Sequence, residues 1–118
     1  MYGLPPDFDG RLFVGQILAS ITFTVNTVHL VFGPDLSLTV LSTCSYRLAA
    51  SDARHTEQVP ITGTAMLGLI GRQVTNIAVT GGRNLALEFD GNGEFTCIDD
   101  SDQYESYTIK VDDREIIV

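Results

Sequence analysis

The sequence has no tryptophan, two cysteines, four prolines and a single lysine, and these scarcities each close something off. Cys44 and Cys97 are too few for the disulfide framework of a small secreted scaffold, so a reducing, cytoplasmic setting is expected. His29 and His55 are far apart and no C-x-x-C or H-x-x-x-H spacing occurs, which leaves no zinc set spelled out. No apolar run approaches the roughly 20 residues of a membrane helix. The N-terminus lacks the basic start of a secretory signal, since Asp7 and Asp9 precede the first apolar stretch and Arg11 sits against it. No P-loop, dinucleotide fingerprint or G-x-S-x-G elbow is present, so neither an enzyme nor a bound cofactor is expected.

What is there is a chain of 118 residues, 44% hydrophobic and 19% charged, the composition of an ordinary globule. It has room for one domain, 1–118, that buries roughly two-thirds of its unfolded surface. The most informative feature is a repeat. Shifted by 57 places, Val28-His29-Leu30-Val31-Phe32 falls on Leu85-Ala86-Leu87-Glu88-Phe89, and Leu36 to Val40 falls on Gly93 to Cys97. Upstream the shift becomes 56, and Gly15, Leu18, Ile21 and Phe23 meet Gly71, Val74, Ile77 and Val79. Apolar spacing that survives a one-residue insertion points to two copies of one supersecondary unit, about 15–48 and 71–111, with the insertion in a turn.

The apolar period within each copy is two, the mark of a strand with one buried face. Leu30, Phe32, Leu38, Leu87, Phe89 and Phe95 are expected to meet in one core. Gly33-Pro34-Asp35 and Asp90-Gly91-Asn92-Gly93 supply hairpin turns, and the irregular step after Gly15 and Gly71 fits a bulge or bend leading into a strand. Ala49 to Pro60 reads as a polar surface loop, and Thr64 to Ile70 as one short helical turn with Thr64 as its N-cap. The expected fold is all-β: about eight strands in two antiparallel meanders, forming a small barrel or a two-sheet sandwich with at most one short helix.

Asp90 to Glu94 has some of the letters of a calcium loop, but alternating flanks and a glutamate in first place make it a hairpin turn. The charge is more telling. Residues 1 to 87 hold five acids and five arginines, so the whole net charge of −8 falls on residues 88 to 118. Such a segment repels nucleic-acid phosphates and anionic lipid and attracts basic protein surfaces. Asp99, Asp100, Asp102, Tyr104, Glu105 and Tyr107 are the residues expected to meet a partner. If the last long strand begins at Tyr104, Glu105 shares parity with Tyr107, Ile109 and Val111 and turns toward the apolar side, where backbone N–H groups or an arginine such as Arg47 or Arg72 would meet it.

The order Leu67-Gly68-Leu69-Ile70-Gly71-Arg72-Gln73-Val74, then Leu85 to Gly91, then Tyr104-Glu105-Ser106-Tyr107 resembles a family of small bacterial duplicated β proteins of unknown function. Its pattern is L-x-G-x-x-V, then L-x-L-x-F-x-D-G, then Y-E-x-W. Tyr107 stands in for the usual tryptophan, and a glycine-rich tail carried by many members is missing. The resemblance implies an immunity-like or accessory role. The reading of the chain is therefore a non-enzymatic module for a basic protein partner, with a homodimer also open to it. A small-ligand-binding barrel, with Tyr104, Glu105 and Tyr107 around one mouth, is the alternative.

Overall fold

A computed structural model describes residues 3–61, 65–100 and 104–118. Among the described residues, ten strands form two antiparallel sheets. In chain order they are β1 (Ser20–Phe23), β2 (Val28–Gly33), β3 (Leu36–Val40), β4 (Thr43–Arg47), β5 (His55–Gln58), β6 (Val74–Thr80), β7 (Asn84–Phe89), β8 (Gly93–Ile98), β9 (Tyr107–Val111) and β10 (Arg114–Ile117). One sheet runs β1-β2-β3-β9-β10 and the other β5-β4-β8-β7-β6. The all-β expectation holds as a two-sheet sandwich, and no pairing closes a barrel among the described residues. Two strands exceed the expected eight. β5 lies within the segment read as loop, because a polar edge strand carries no apolar alternation to betray it. The turn expected near Thr64 is a 3-10 turn, Ala65–Leu69, and the proposed cap itself lies outside the described residues.

The duplication is visible in the topology, with one exchange. Each sheet is the three-stranded meander of one copy completed by the last two strands of the other. β9 pairs with β3 through Leu38–Ile109 and Val40–Tyr107, while β4 pairs with β8 through Tyr46–Phe95 and Cys44–Cys97. A lone meander cannot cover its own apolar face, and trading strands lets each copy finish its partner's sheet.

The copies also meet directly. Ile17 and Gln73, equivalent positions of the two copies, form an isolated antiparallel bridge. Around it the backbone bonds come in matched pairs. Gly15 N donates to Val74 O and Gly71 N to Leu18 O, both at 2.8 Å, while Val74 N donates to Gln16 O at 2.8 Å and Leu18 N to Arg72 O at 3.0 Å. A pseudo-twofold axis therefore passes through this bridge. Gly15 and Gly71 precede it with φ of +89° and +90°, a conformation side chains resist, and that requirement explains the shared glycine.

Between the sheets, alternate residues interlock. Leu30, Phe32, Leu38, Leu87, Phe89 and Phe95 are all buried, together with Phe13, Leu18, Met66 and Leu69 from the segments that lead into β1 and β6, and with Val74 at the start of β6. Phe13 meets Phe32 edge to face at 5.4 Å. Each large apolar side chain buried this way contributes roughly 1.5–3 kcal/mol.

Candidate functional site

Strand exchange decides where the acids go. Glu88, Asp90 and Glu94 lie on or beside β7 and β8, whereas Asp112, Asp113 and Glu115 ride with β9 and β10 into the opposite sheet. The charge concentrated in sequence is thus distributed in space. Several of these acids are also spoken for. Glu94, largely covered, is clasped by Arg47 and by Arg54, the latter at 2.9 Å, and Glu88 accepts from Asn76 Nδ2 at 2.9 Å.

Asp99 is not a docking carboxylate, contrary to the sequence expectation. Its side chain is 0% exposed and lies 3.0 Å from Arg83 Nε. It also accepts from Ser106 Oγ at 3.2 Å, while its own N–H donates to Asn84 Oδ1. Burial alone would raise its pKa, but the hydrogen bonds from Arg83 and Ser106 outweigh it and hold the carboxyl below its usual range. Tyr107 likewise leaves the list of surface residues. It is fully buried, its hydroxyl donates to Arg83 O, and burial, then the charges of Cys97 and Asp99, push its pKa up.

Glu105 departs from its expected parity in the other direction. β9 begins only at Tyr107, so strand alternation does not extend back to residue 105, and Glu105 is exposed. Ser106 fills the buried position instead, donating its N–H to Val118 O at 2.7 Å and accepting from Leu41 N at 2.9 Å. Neither suggested arginine is its partner: Arg47 serves Glu94, and Arg72 Nη1 donates to the carbonyls of Leu48 and Asp90.

With Tyr104 and Glu105 outside, one end of the sandwich becomes a groove of about 560 Å³. Its walls are Val25 and Asn26 from the β1–β2 tip, Leu41 from the β3–β4 link, Val59 and Pro60 after β5, and Tyr104 and Glu105. Local chemistry fixes these walls. Thr24 Oγ1 accepts from the N–H groups of Asn26 and Thr27 and bonds to Thr27 Oγ1 at 2.7 Å. That knot leaves Val25 78% exposed at the tip. Val59 N donates to Ser42 O at 2.9 Å, tying the exit of β5 to the β3–β4 link. Ser42 Oγ on that link and Thr43 Oγ1 at the start of β4 donate to the Asp100 carboxylate at 2.9 and 2.5 Å.

Of the six residues singled out in the sequence, Tyr104 and Glu105 line the groove, Asp100 is held on the link beside it, Asp99 and Tyr107 are buried, and Asp102 lies outside the described residues. Sequence reasoning missed Val25, Asn26, Leu41, Val59 and Pro60. The signal for Val25 was legible: an aliphatic residue at a turn otherwise made of Thr24, Asn26 and Thr27 has no core to enter.

The remaining titratable clusters offer little reactivity. Cys44 and Cys97 face each other across β4 and β8, both free and fully buried. Burial, with the Glu57 charge, raises the Cys44 thiol to about 12, and burial, then Cys44, pushes the Cys97 thiol up as well. Neither is a thiolate at neutral pH. Tyr46 stacks on His55 at 5.3 Å, and its pKa is raised by burial, then by Glu57. Among the described residues, no three His, Cys, Asp or Glu side chains converge as a metal site, and no helix is long and apolar enough to cross a membrane. Comparison with protein-family models, with curated proteins and with solved structures returned no match.

Proposed function

We propose that this chain is a non-enzymatic protein-binding module, of the accessory or immunity-like kind, that receives a basic segment of its partner in the groove at the Tyr104–Glu105 end. The observation that carries this reading is the chemistry of the groove. Among the described residues its walls are aliphatic and aromatic apart from Asn26, the charged residue that lines it is Glu105, Asp100 stands beside it, and no lysine or arginine lines it. Apolar contact supplies affinity at such a site, and a carboxylate rim selects for lysine or arginine next to the anchor.

The groove volume also falls within the roughly 300–1,000 Å³ typical of small-ligand sites, which favours a second reading: a small apolar cation as occupant. The two part on a simple measurement. Titration with a short peptide of alternating leucine and lysine, followed by amide shifts, should move Val25, Leu41 and Glu105. A panel of small hydrophobic amines should move them only weakly. Perturbation by the amines alone would favour the small-ligand reading, and shifts confined to the β7–β8 face would refute the groove as the site.

A further inference from the structure

β5 is an edge strand, and the direction of its free backbone groups follows from one hydrogen bond. Val59 N donates to Ser42 O at 2.9 Å, and the pairs Thr43–Gln58, Cys44–Glu57, Ser45–Thr56 and Tyr46–His55 continue from there in unbroken register. Antiparallel neighbours alternate between pairs that exchange backbone hydrogen bonds and pairs that do not. His55, Glu57 and Val59 therefore bond toward β4, while Thr56 and Gln58 turn their N–H and C=O groups outward. Among the described residues no backbone bond meets those outward groups. Pro60, the next outward position, is a wall of the groove and has no N–H to offer, so the open ladder stops where the groove begins.

The side chains add a charge to this edge. Glu57 lies on the inner face with Cys44 and Tyr46 and is half-buried, whereas His55, Thr56 and Gln58 are exposed. Its Oε2 is shut away from water and accepts no hydrogen bond, a state that is costly for a carboxylate until a donor arrives. Arg47, which ends β4, and Arg54, which leads into β5, are both held by Glu94.

We infer that the basic segment received by the groove runs on as an extended strand antiparallel to β5, with an apolar residue against Val59 and, two residues later, a lysine or arginine at Glu57. The inference rests on the groove reading and adds the partner's conformation and its spacing. Outward N–H and C=O groups select an extended strand, since its backbone alone matches their repeat. Antiparallel addition continues the pattern of both sheets and is the more stable of the two directions. The register then fixes the partner's side chains. Whatever lies opposite Glu57 belongs to a pair without backbone hydrogen bonds, the closer kind, at about 4.5 Å between Cα atoms, and its side chain shares the inner face. A cation there supplies the donor that Oε2 lacks. The residue two places earlier faces Val59 on the same side and enters the groove.

The test sets two capped peptides of one composition against the intact chain: one with the core lysine-leucine-serine-lysine, the other with the last two residues exchanged. Both carry the same charge and the same anchor, but only the first places its second lysine at Glu57. At saturation it should slow amide hydrogen exchange at Thr56 and Gln58 about tenfold or more and leave the already bonded Glu57 N–H little changed. It should also bind about tenfold more tightly than the exchanged peptide, an advantage that Glu57→Gln should remove. If Glu57→Gln disturbs folding, norleucine in place of the second lysine makes the same test on the unaltered chain. Equal shifts of Val25, Leu41 and Glu105 by both peptides, with Thr56 and Gln58 unprotected, would overturn the inference and leave the groove reading standing. Shifts at the groove by neither peptide would remove both. Protection of Thr56 and Gln58 that rises with protein concentration and needs no peptide would give this edge to a second copy of the chain and overturn the inference.

Discussion

Arg83 and Asp99 form an ion pair at 3.0 Å in which the carboxylate is fully covered while the guanidinium stays 43% exposed. The pair ties the β6–β7 turn to the end of β8, and Ser106 Oγ brings the lead-in to β9 onto the same carboxylate. Three segments of the second copy thus depend on one acid. Asp99→Asn keeps the shape and removes the charge, so stability at pH 7 should fall by about 1–3 kcal/mol, trimmed by the solvent around Arg83. The pH dependence follows from the lowered folded pKa. The wild-type advantage is complete above the unfolded carboxyl value of about 3.9 and disappears as pH drops through the lower folded value. Urea denaturation of both proteins between neutral and strongly acid pH checks this. A gap that persists in acid would mean that the asparagine disturbs packing rather than charge.

Gly15→Ala and Gly71→Ala should cost nearly the same. Both positions hold φ near +90°, and an added Cβ would meet nothing closer than Gln73 Nε2 at 3.9 Å in one case and open space in the other. With no steric difference, only the left-handed backbone is penalised, at about 1–2 kcal/mol each. Matched losses in thermal or urea midpoints would express the pseudo-twofold energetically. If one site tolerates alanine and the other does not, the two crossings are not equivalent in solution.

Much of this fold was legible because its strands alternate. Leu30-Val31-Phe32 and Leu87-Glu88-Phe89 announce period two, and the repeat fixed which residues share a face. The exchange of β4 and β9 was not legible: Cys44 carries no mark that its neighbour is Cys97 and not a residue of its own copy, since either pairing buries the same apolar face. β5 stayed hidden because His55, Thr56, Glu57 and Gln58 are polar throughout and pair by backbone. The site was half legible. Tyr104 and Glu105 stand out in the sequence, but strand parity carried back from Tyr107 turns Glu105 inward, and that alternation ends where β9 begins at Tyr107. The acids of residues 88–118 suggest one surface only while neighbours in sequence stay neighbours in space, a condition the passage of β9 and β10 into the other sheet breaks.

The two cysteines should behave as buried thiols. Cys44 and Cys97 are opposite each other and free, and with their pKa values raised, largely by burial, labelling by iodoacetamide near pH 8 must wait for the sheet to open. The rate should rise with urea in step with unfolding, and both sites should label together, since they share one core. Fast labelling of either thiol in native protein, measured by intact mass, would contradict this burial.

The groove reading makes one prediction that separates local charge from net charge. Asp112, Asp113 and Glu115 are exposed and belong to the β9–β10 hairpin, away from the residues that line the groove. Reversing Asp113 and Glu115 to lysine changes the net charge by four, twice the change made by Glu105→Lys, yet it alters no residue of the groove. If a basic segment is captured by long-range steering alone, the double reversal should slow association more. If the segment seats its apolar residue against Val25, Val59 and Tyr104 with its cation at Glu105, then Glu105→Lys should weaken binding by tenfold or more, and should speed dissociation as well as slow encounter, because a contact in the complex is lost. The double reversal should then lower the association rate only a few-fold, and raising salt past the roughly 10 Å screening length of 0.1 M solution should erase that difference. Tyr104→Ala should leave the salt dependence intact while raising the dissociation rate. Stopped-flow association and dissociation rates for the leucine–lysine peptide against these three variants decide between the schemes. A ranking that follows total charge alone would remove the groove from the mechanism.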